Sequence, residues 1–389
     1  MPIAGETSSS DALYDRALRS LPGGNSRTTV FVAPHPPYAG RGEGFRVWDV
    51  DGHELIDLQS NYTSLVHGHA FAPVVRAANE ALSGGSAFGL PTADEVQLAE
   101  HLRERMPWTE RWRFTGSGSE AVMMAVRAAR AATGRALLVR FAGCYHGSWD
   151  EVVPADAPGL PASAQGDVVT LPFGDADALL DALERHGERM ACVLLDLMPS
   201  RLGLHAAEPA FVALLREQTR RRGIALILDE VVSFRLGVGG MQERYGIEAD
   251  LVALGKLIGG GLPIGALGGR AELMDVFDPR RPDAVAHGGT FSANPVSMRA
   301  GLTALTALDS EAIARIDALG ERLRAGLLEL GYEVRGRGSL AQVAPPDPTE
   351  LWWRLYRAGV LIAGRGLMSV STPMDETTID LALAAFART

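Results

Sequence analysis

The stretch Asp250-Leu-Val-Ala-Leu-Gly-Lys256-Leu-Ile-Gly-Gly-Gly-Leu-Pro-Ile-Gly265 decides how this chain reads. An apolar run, Leu251–Leu254, leads to a lysine, and the lysine opens a turn made of glycines. Short continuous apolar runs bounded by turn signals are the pattern of strands covered on both faces. Ala136–Phe141, Val193–Leu197 and Ala225–Val231 repeat the pattern. Helical spacing falls between and around them, at 71–83, 93–105, 119–132, 208–222 and 293–308. In 119–132, Ala121, Val122, Ala125, Val126 and Ala129 mark one face. Strands alternating with helices predict an α/β fold with a large, mainly parallel, doubly wound sheet.

Outside this region the pattern changes. Residues 1–10 read as a tail, and a helix is expected over Asp11–Ser20, stopped by Leu21-Pro-Gly-Gly24. Arg46–Leu58 reads as a hairpin turning at Asp51-Gly52. The Pro-, Ala-, Gly- and Ser-rich segment 154–167 reads as a long surface loop, a class that includes lids. After residue 308 two or more helices with weak strands between them are expected. The net charge is −10 and no basic run forms a stripe, which argues against nucleic-acid binding. The apolar runs are far too short to span a bilayer. Two cysteines, Cys144 and Cys192, form no disulfide framework. The N-terminus has neither a basic nor an apolar leader pattern. A cytoplasmic protein with no membrane and no nucleic-acid partner is expected.

Four segments could carry chemistry. Lys256 follows a buried strand, where ligands sit in α/β folds. A desolvated lysine has a lowered pKa and becomes a nucleophile toward an aldehyde. The rival reading is a surface lysine beside a flexible loop. Asp229 and Glu230 end another apolar strand; a buried carboxylate there needs a cationic or donating partner, such as a protonated pyridine nitrogen. A Mg²⁺ site or a helix cap are its rivals, and no phosphate loop of the Gly-rich Lys-Ser/Thr type lies upstream. Ser117-Gly118-Ser119 opens a helix, whose free amides attract phosphate; plain N-capping is the alternative. Tyr145 and His146 follow strand 136–141, where an aromatic could cover a planar ring or simply pack. His67 and His69 pair with no base, nucleophile or metal-ligand spacing, and no metal site is expected.

Together and in this order the residues resemble the class III (ω-type) aminotransferase family of enzymes dependent on pyridoxal 5′-phosphate (PLP). The branch that holds glutamate-1-semialdehyde aminomutases and β-amino-acid aminotransferases is the most similar. The motifs are Pro22-Gly-Gly-Asn25, Val47-Trp-Asp-Val-Asp-Gly52, Ser117-Gly-Ser-Glu-Ala121, Cys144-Tyr-His-Gly147, Asp229-Glu-Val231, Gly255-Lys-Leu-Ile-Gly-Gly-Gly261 and Gly289-Thr-Phe-Ser-Ala-Asn-Pro295. The resemblance implies the PLP-dependent transferase fold type I. It implies an N-terminal arm with part of a small α+β domain over 1–55, a PLP domain over 56–308, and the rest of the small domain over 309–389. It implies that Lys256 forms a Schiff base with PLP, that Asp229 holds the pyridine nitrogen, and that Tyr145 and Val231 flank the ring with His146 nearby. Ser117, Gly118 and Ser119 would take the phosphate. Thr290 would reach the phosphate of the other subunit of a homodimer with shared active sites. Arg27, just after the Pro-Gly-Gly-Asn turn, matches the arginine that receives a substrate carboxylate, and Arg365 is a second candidate.

The activity implied is transfer of an amino group from a small carboxylate-bearing amino donor, perhaps a β-amino acid, to a keto-acid acceptor. A 2,1-aminomutase uses the same parts, and a PLP-fold binding protein without catalysis is a third reading. Three places depart from the family pattern. Asp196-Leu-Met-Pro stands where relatives show Glu-Pro, Val-Ser-Phe-Arg235 follows the acidic pair, and the chain after Gly331 matches poorly.

Overall fold

The computed structural model describes residues 8–389. The chain forms two compact units, one made of residues up to Ala72 together with Ala314–Thr389, the other of Pro73–Ile313.

The second unit holds a seven-stranded sheet. Its strands in chain order are β1 (Arg111–Thr115), β2 (Leu137–Phe141), β3 (Val168–Leu171), β4 (Met190–Leu195), β5 (Ala225–Asp229), β6 (Leu251–Gly255) and β7 (Gly265–Gly269). Their order across the sheet is β1-β7-β6-β5-β4-β2-β3. Only β7 runs against its neighbours, β1 and β6; the other adjacent pairs are parallel. This is the mainly parallel sheet that the apolar runs predict. β1, β3 and β7 carry no such run. Arg111-Trp-Arg-Phe-Thr115 alternates polar and aromatic residues rather than running apolar, while Gly265-Ala-Leu-Gly-Gly269 is a strand because its neighbours supply its hydrogen bonds, not because its own composition favours extension.

The helix Gly118–Thr133 lies on this sheet through a face of small residues. Ala121, Ala125, Ala128 and Ala129 are fully buried against a core that includes Leu138, Ile227, Ala253 and Leu267. Alanines let the helix axis come close to the strands, so its first turn is held against the sheet. Burial of each larger core side chain contributes roughly 1.5–3 kcal/mol. Register then fixes the chemistry: Asp229 of β5 lies opposite Ala253 of β6, so Asp229 and Lys256 emerge at the same sheet edge. At the opposite edge the buried Asp250 receives both Nη atoms of Arg216, at 2.6 and 3.0 Å, and the Leu226 amide at 2.8 Å.

The first unit has a four-stranded sheet, Ala39–Glu43, Arg46–Asp49, Glu54–Asp57 and Val360–Leu361, in that order. The hairpin expected at Arg46–Leu58 is its centre, and the chain's C-terminal part adds the last strand in parallel. A three-stranded antiparallel sheet and the helices Pro348–Arg357 and Glu376–Ala387 complete this α+β unit. Both chain ends build it, as expected, but its N-terminal part runs to Ala72 rather than to residue 55, and its C-terminal part begins at Ala314 rather than 309. The reason is pairing beyond the hairpin. Gly44 and His69 exchange backbone bonds of 2.9 and 2.7 Å, and Thr372 N–H donates to Val66 O at 2.8 Å. His69 also meets Asp57 at 2.7 Å and His67 meets Thr372 Oγ1 at 2.9 Å, so both histidines tie this unit together.

In the second unit, Asp250→Ala would leave the Arg216 guanidinium and the Leu226 amide buried without their acceptor. Urea unfolding of the cofactor-free protein should show a loss of roughly 3–5 kcal/mol.

Candidate active site

The parallel strands deliver their C-terminal ends to one edge of the sheet. Asp229 ends β5, Lys256 follows β6, Asp196 follows β4, the Tyr145-His146 segment follows β2, and Ser117 caps the helix after β1. This convergence is where open α/β sheets bind ligands.

Asp229 is buried and fully oriented. Its Oδ2 accepts the Nδ1–H of the equally buried His146 at 2.8 Å, and its Oδ1 accepts the Val231 amide at 3.1 Å. Because a carboxylate only accepts, His146 carries its proton on Nδ1 here. His146 Nε2 is buried without a hydrogen-bond partner among the described residues. Glu230, next in sequence, points elsewhere. Its carboxyl takes the amides of Met241 at 2.6 Å and Gln242 at 3.0 Å, and the Ser233 hydroxyl at 3.3 Å. The acidic pair is therefore one site residue and one structural residue.

Lys256 sits at φ +51°, a left-handed conformation rare for a side chain larger than glycine. Such strain persists where surrounding structure over-determines it, often at functional positions. Burial pushes the Lys256 ammonium below its ordinary value, and the charges of Asp229 and Asp196 oppose that shift. The sequence reading named Asp196 only as a departure from the family pattern and gave it no site role. Its carboxyl is held above the ordinary carboxylate range by burial first and by the charge of Asp229 second. An acidic residue closing a continuous apolar run was the available signal, the same one that marked Asp229.

Glycines close the floor. A Cβ on Gly118 would come within 2.8 Å of Val231 Cγ2, and one on Gly147 within 2.7 Å of Ser119 Oγ. A Cβ on Gly255 would stand 3.3 Å from Gly118 Cα. Ser117–Ser119, Gly147, Val231 and Gly255 thus form one tight group. Ser117 also has the plain capping role, accepting the Glu120 amide at 3.3 Å. Tyr145 is half-exposed, with the Arg201 guanidinium over its ring at 4.4 Å. Thr290 is exposed on the rim of a cavity of about 360 Å³ lined also by Phe88, Leu90, Arg113 and His287.

In the other unit, the charges of Arg27 and Arg365 both act on Tyr62. Arg27 Nη1 donates to Asn61 Oδ1 at 2.8 Å, Tyr62 donates to Thr29 O, and burial raises the Tyr62 pKa while both guanidiniums oppose it. Asn61 and Tyr62 belong to a run of left-handed residues, Ser60–Thr63, with φ of 47°, 45°, 56° and 73°. Neither arginine forms an ion pair among the described residues. No group of three or more His, Cys, Asp or Glu suited to a metal occurs there either.

The model of the class III aminotransferase family matches residues 32–386. The chain belongs to this family. A curated relative, the glutamate-1-semialdehyde 2,1-aminomutase of Methanothermobacter thermautotrophicus, is 42% identical over 350 residues, spanning 86% of this chain and 83% of that protein. Among solved structures, a transaminase with PLP bound has a TM-score of 0.93 and 43% identity, covering 97% of this chain and 95% of that one. A β-phenylalanine aminotransferase from Variovorax paradoxus has a TM-score of 0.89 and 36% identity, over 97% and 92%. The fold is that of class III aminotransferases, PLP fold type I, and PLP is the cofactor. The residues present fit it: a desolvated lysine beside a buried, oriented carboxylate, and a glycine-floored helix start that side chains would close.

Removing the Asp229 charge takes away an influence that raises the Lys256 pKa. In cofactor-free protein, Lys256 modification by an electrophile, followed by mass spectrometry, should have its pH midpoint below the usual lysine range. Asp229→Asn should move that midpoint lower still.

Proposed function

We propose that this member of the class III family is an aminotransferase that takes a carboxylate-bearing amino donor, with a β-amino acid as the leading class, and passes the amino group to a keto acid. The observation that carries this reading is the Arg27–Arg365 pair. Two guanidiniums whose charges both act on Tyr62, neither in an ion pair among the described residues, suit an incoming carboxylate, which arginine binds with two parallel hydrogen bonds. The solved β-phenylalanine aminotransferase supports it further.

PLP, when bound, supplies an electron sink that makes a C–H bond beside the substrate nitrogen acidic. The chain's residues do the rest. Lys256 would hold the cofactor, and its Nζ, when not so engaged, would take the proton from the carbon bearing the amino group. Asp229 keeps the pyridine nitrogen protonated. His146, donating from Nδ1, keeps that carboxylate oriented. Tyr145 and Val231 would flank the ring, and Ser117, Gly118 and Ser119 would receive the phosphate at a helix start. We assign Thr290 to the phosphate of a second copy, in a homodimer whose active sites are shared. The exposure of Leu90 and Phe291, at 77% and 67%, supports a covering partner on that side. A cytoplasmic location completes the reading, supported by two buried, unpaired cysteines.

The second reading, a 2,1-aminomutase, is favoured by the name of the curated relative. The two differ in what one substrate alone does. Given donor without acceptor, an aminotransferase stops after one half-reaction with its cofactor spectrum shifted, and a keto acid then restores it. An aminomutase converts its amino aldehyde to completion with no second substrate. Lys256→Ala should abolish turnover in both. Arg27→Met or Arg365→Met should raise KM for carboxylate donors about tenfold or more, the loss of a charge-assisted bond of roughly 1.5–3 kcal/mol. An amine lacking the carboxylate should be unaffected, which steady-state kinetics on a matched donor pair would measure.

A further inference from the structure

His287 lies three residues before Thr290, yet its imidazole is buried, with a side-chain exposure of 6%. It stands between a cation and an anion. Arg113 of β1 donates from Nε to His287 Nδ1 at 2.8 Å and from Nη2 to the His287 carbonyl at 3.4 Å. On the other side His287 Nε2 is 3.4 Å from Glu120 Oε1. The second oxygen of Glu120 accepts the Gly116 amide at 2.7 Å.

The direction of this chain follows from donor chemistry. Guanidinium has no lone pair to accept with, so His287 Nδ1 is the acceptor and its proton resides on Nε2, directed at Glu120. A second proton would break the Arg113 bond. Burial and the Arg113 charge accordingly hold the imidazole below its ordinary pKa. The ring of Phe277 lies under the Arg113 guanidinium at 5.2 Å and meets the same imidazole edge-on, with ring centres 6.3 Å apart. Glu120 is the third residue of the helix Gly118–Thr133, so its carboxylate lies beside the amides that open that helix. An anion there competes with phosphate for the same amides and repels it. The bonds to Gly116 and His287 hold both of its oxygens.

We propose that His287 is a positioning residue for cofactor phosphate: fixed as the Nε2–H tautomer between Arg113 and Glu120, it keeps the Glu120 carboxylate off the Ser117–Ser119 amides and ties the Thr290 segment to that helix start. It touches no reacting atom. The proposal rests on the phosphate reading of the Ser117–Ser119 helix start.

The test compares affinity for PLP with affinity for pyridoxal, which lacks the phosphate, in cofactor-stripped full-length protein by absorbance titration. His287→Phe keeps the ring volume and removes both bonds. It should weaken PLP about tenfold or more and leave pyridoxal within about twofold. His287→Gln offers one acceptor and one donor and should restore PLP affinity to within about threefold of the parent. Arg113→Met, a partly exposed strand position, should reproduce the loss if the phenylalanine variant does not fold. Unchanged PLP affinity in these variants, equal weakening of PLP and pyridoxal, or failure of glutamine to rescue would each overturn the role given to His287. Ser119→Ala separates that failure from failure of the phosphate reading. If it weakens PLP while His287→Phe does not, the phosphate reading stands and the positioning role falls. If neither weakens PLP, both fall.

Discussion

A buried carboxylate at the end of a parallel strand is the constraint around which the site is arranged. Asp229 is taken out of water in that position, and a buried carboxylate needs hydrogen bonds in return. His146 and the Val231 amide supply two such bonds from the protein, at 2.8 and 3.1 Å. Placing His146 there requires β2 to deliver its loop beside β5 with β4 between them, which a parallel sheet order does. The same negative charge acts on its surroundings. It helps hold the Asp196 carboxyl above its usual range and offsets part of the burial shift on Lys256. The electrostatic setting of Lys256 is therefore a property of three strand ends taken together.

Close approach is the second requirement, and small residues meet it at particular places. Gly118 gives way to Val231, Gly147 to Ser119, and Gly255 to the Gly118 backbone. The alanine face of the helix Gly118–Thr133 brings that helix start down to the sheet, and Glu120 at its third position has its charge taken up by Gly116 and His287. Glu230 does separate work. It pins Met241 and Gln242 by their amides, so the acidic pair that looks like one motif has one member turned to the site and one to the fold.

The small unit shows what a local motif cannot. Ser60–Thr63 contains no glycine and nevertheless runs left-handed through four residues, a costly backbone that only its surroundings maintain. Its product is a surface where Asn61 and Tyr62 engage Arg27 and the Thr29 carbonyl, with Arg365 contributing its charge from far along the chain. Among the described residues neither arginine has an acidic side chain paired with it, and Arg27 donates to Asn61 instead.

The sequence by itself determined the parallel core, because runs such as Ala225–Asp229 and Leu251–Leu254 are too apolar and too short to be anything but covered strands. It marked Lys256, Asp229 and the Ser117–Ser119 helix start, since those sit where a strand or helix pattern begins or ends. It did not reveal β1, β3 or β7: the first two are short and lack a continuous apolar run, and the Gly-rich β7 depends on its neighbours for extension. It placed the limit of the small unit at residue 55, because the pairing of Gly44 with His69 and of Val66 with Thr372 spans residues that no local pattern links. Only the tertiary structure separated Glu230 from Asp229, brought Asp196 to the same edge, and set His287 between Arg113 and Glu120. Each of these depends on distances between segments far apart in the chain, and such distances are fixed by packing rather than by periodicity.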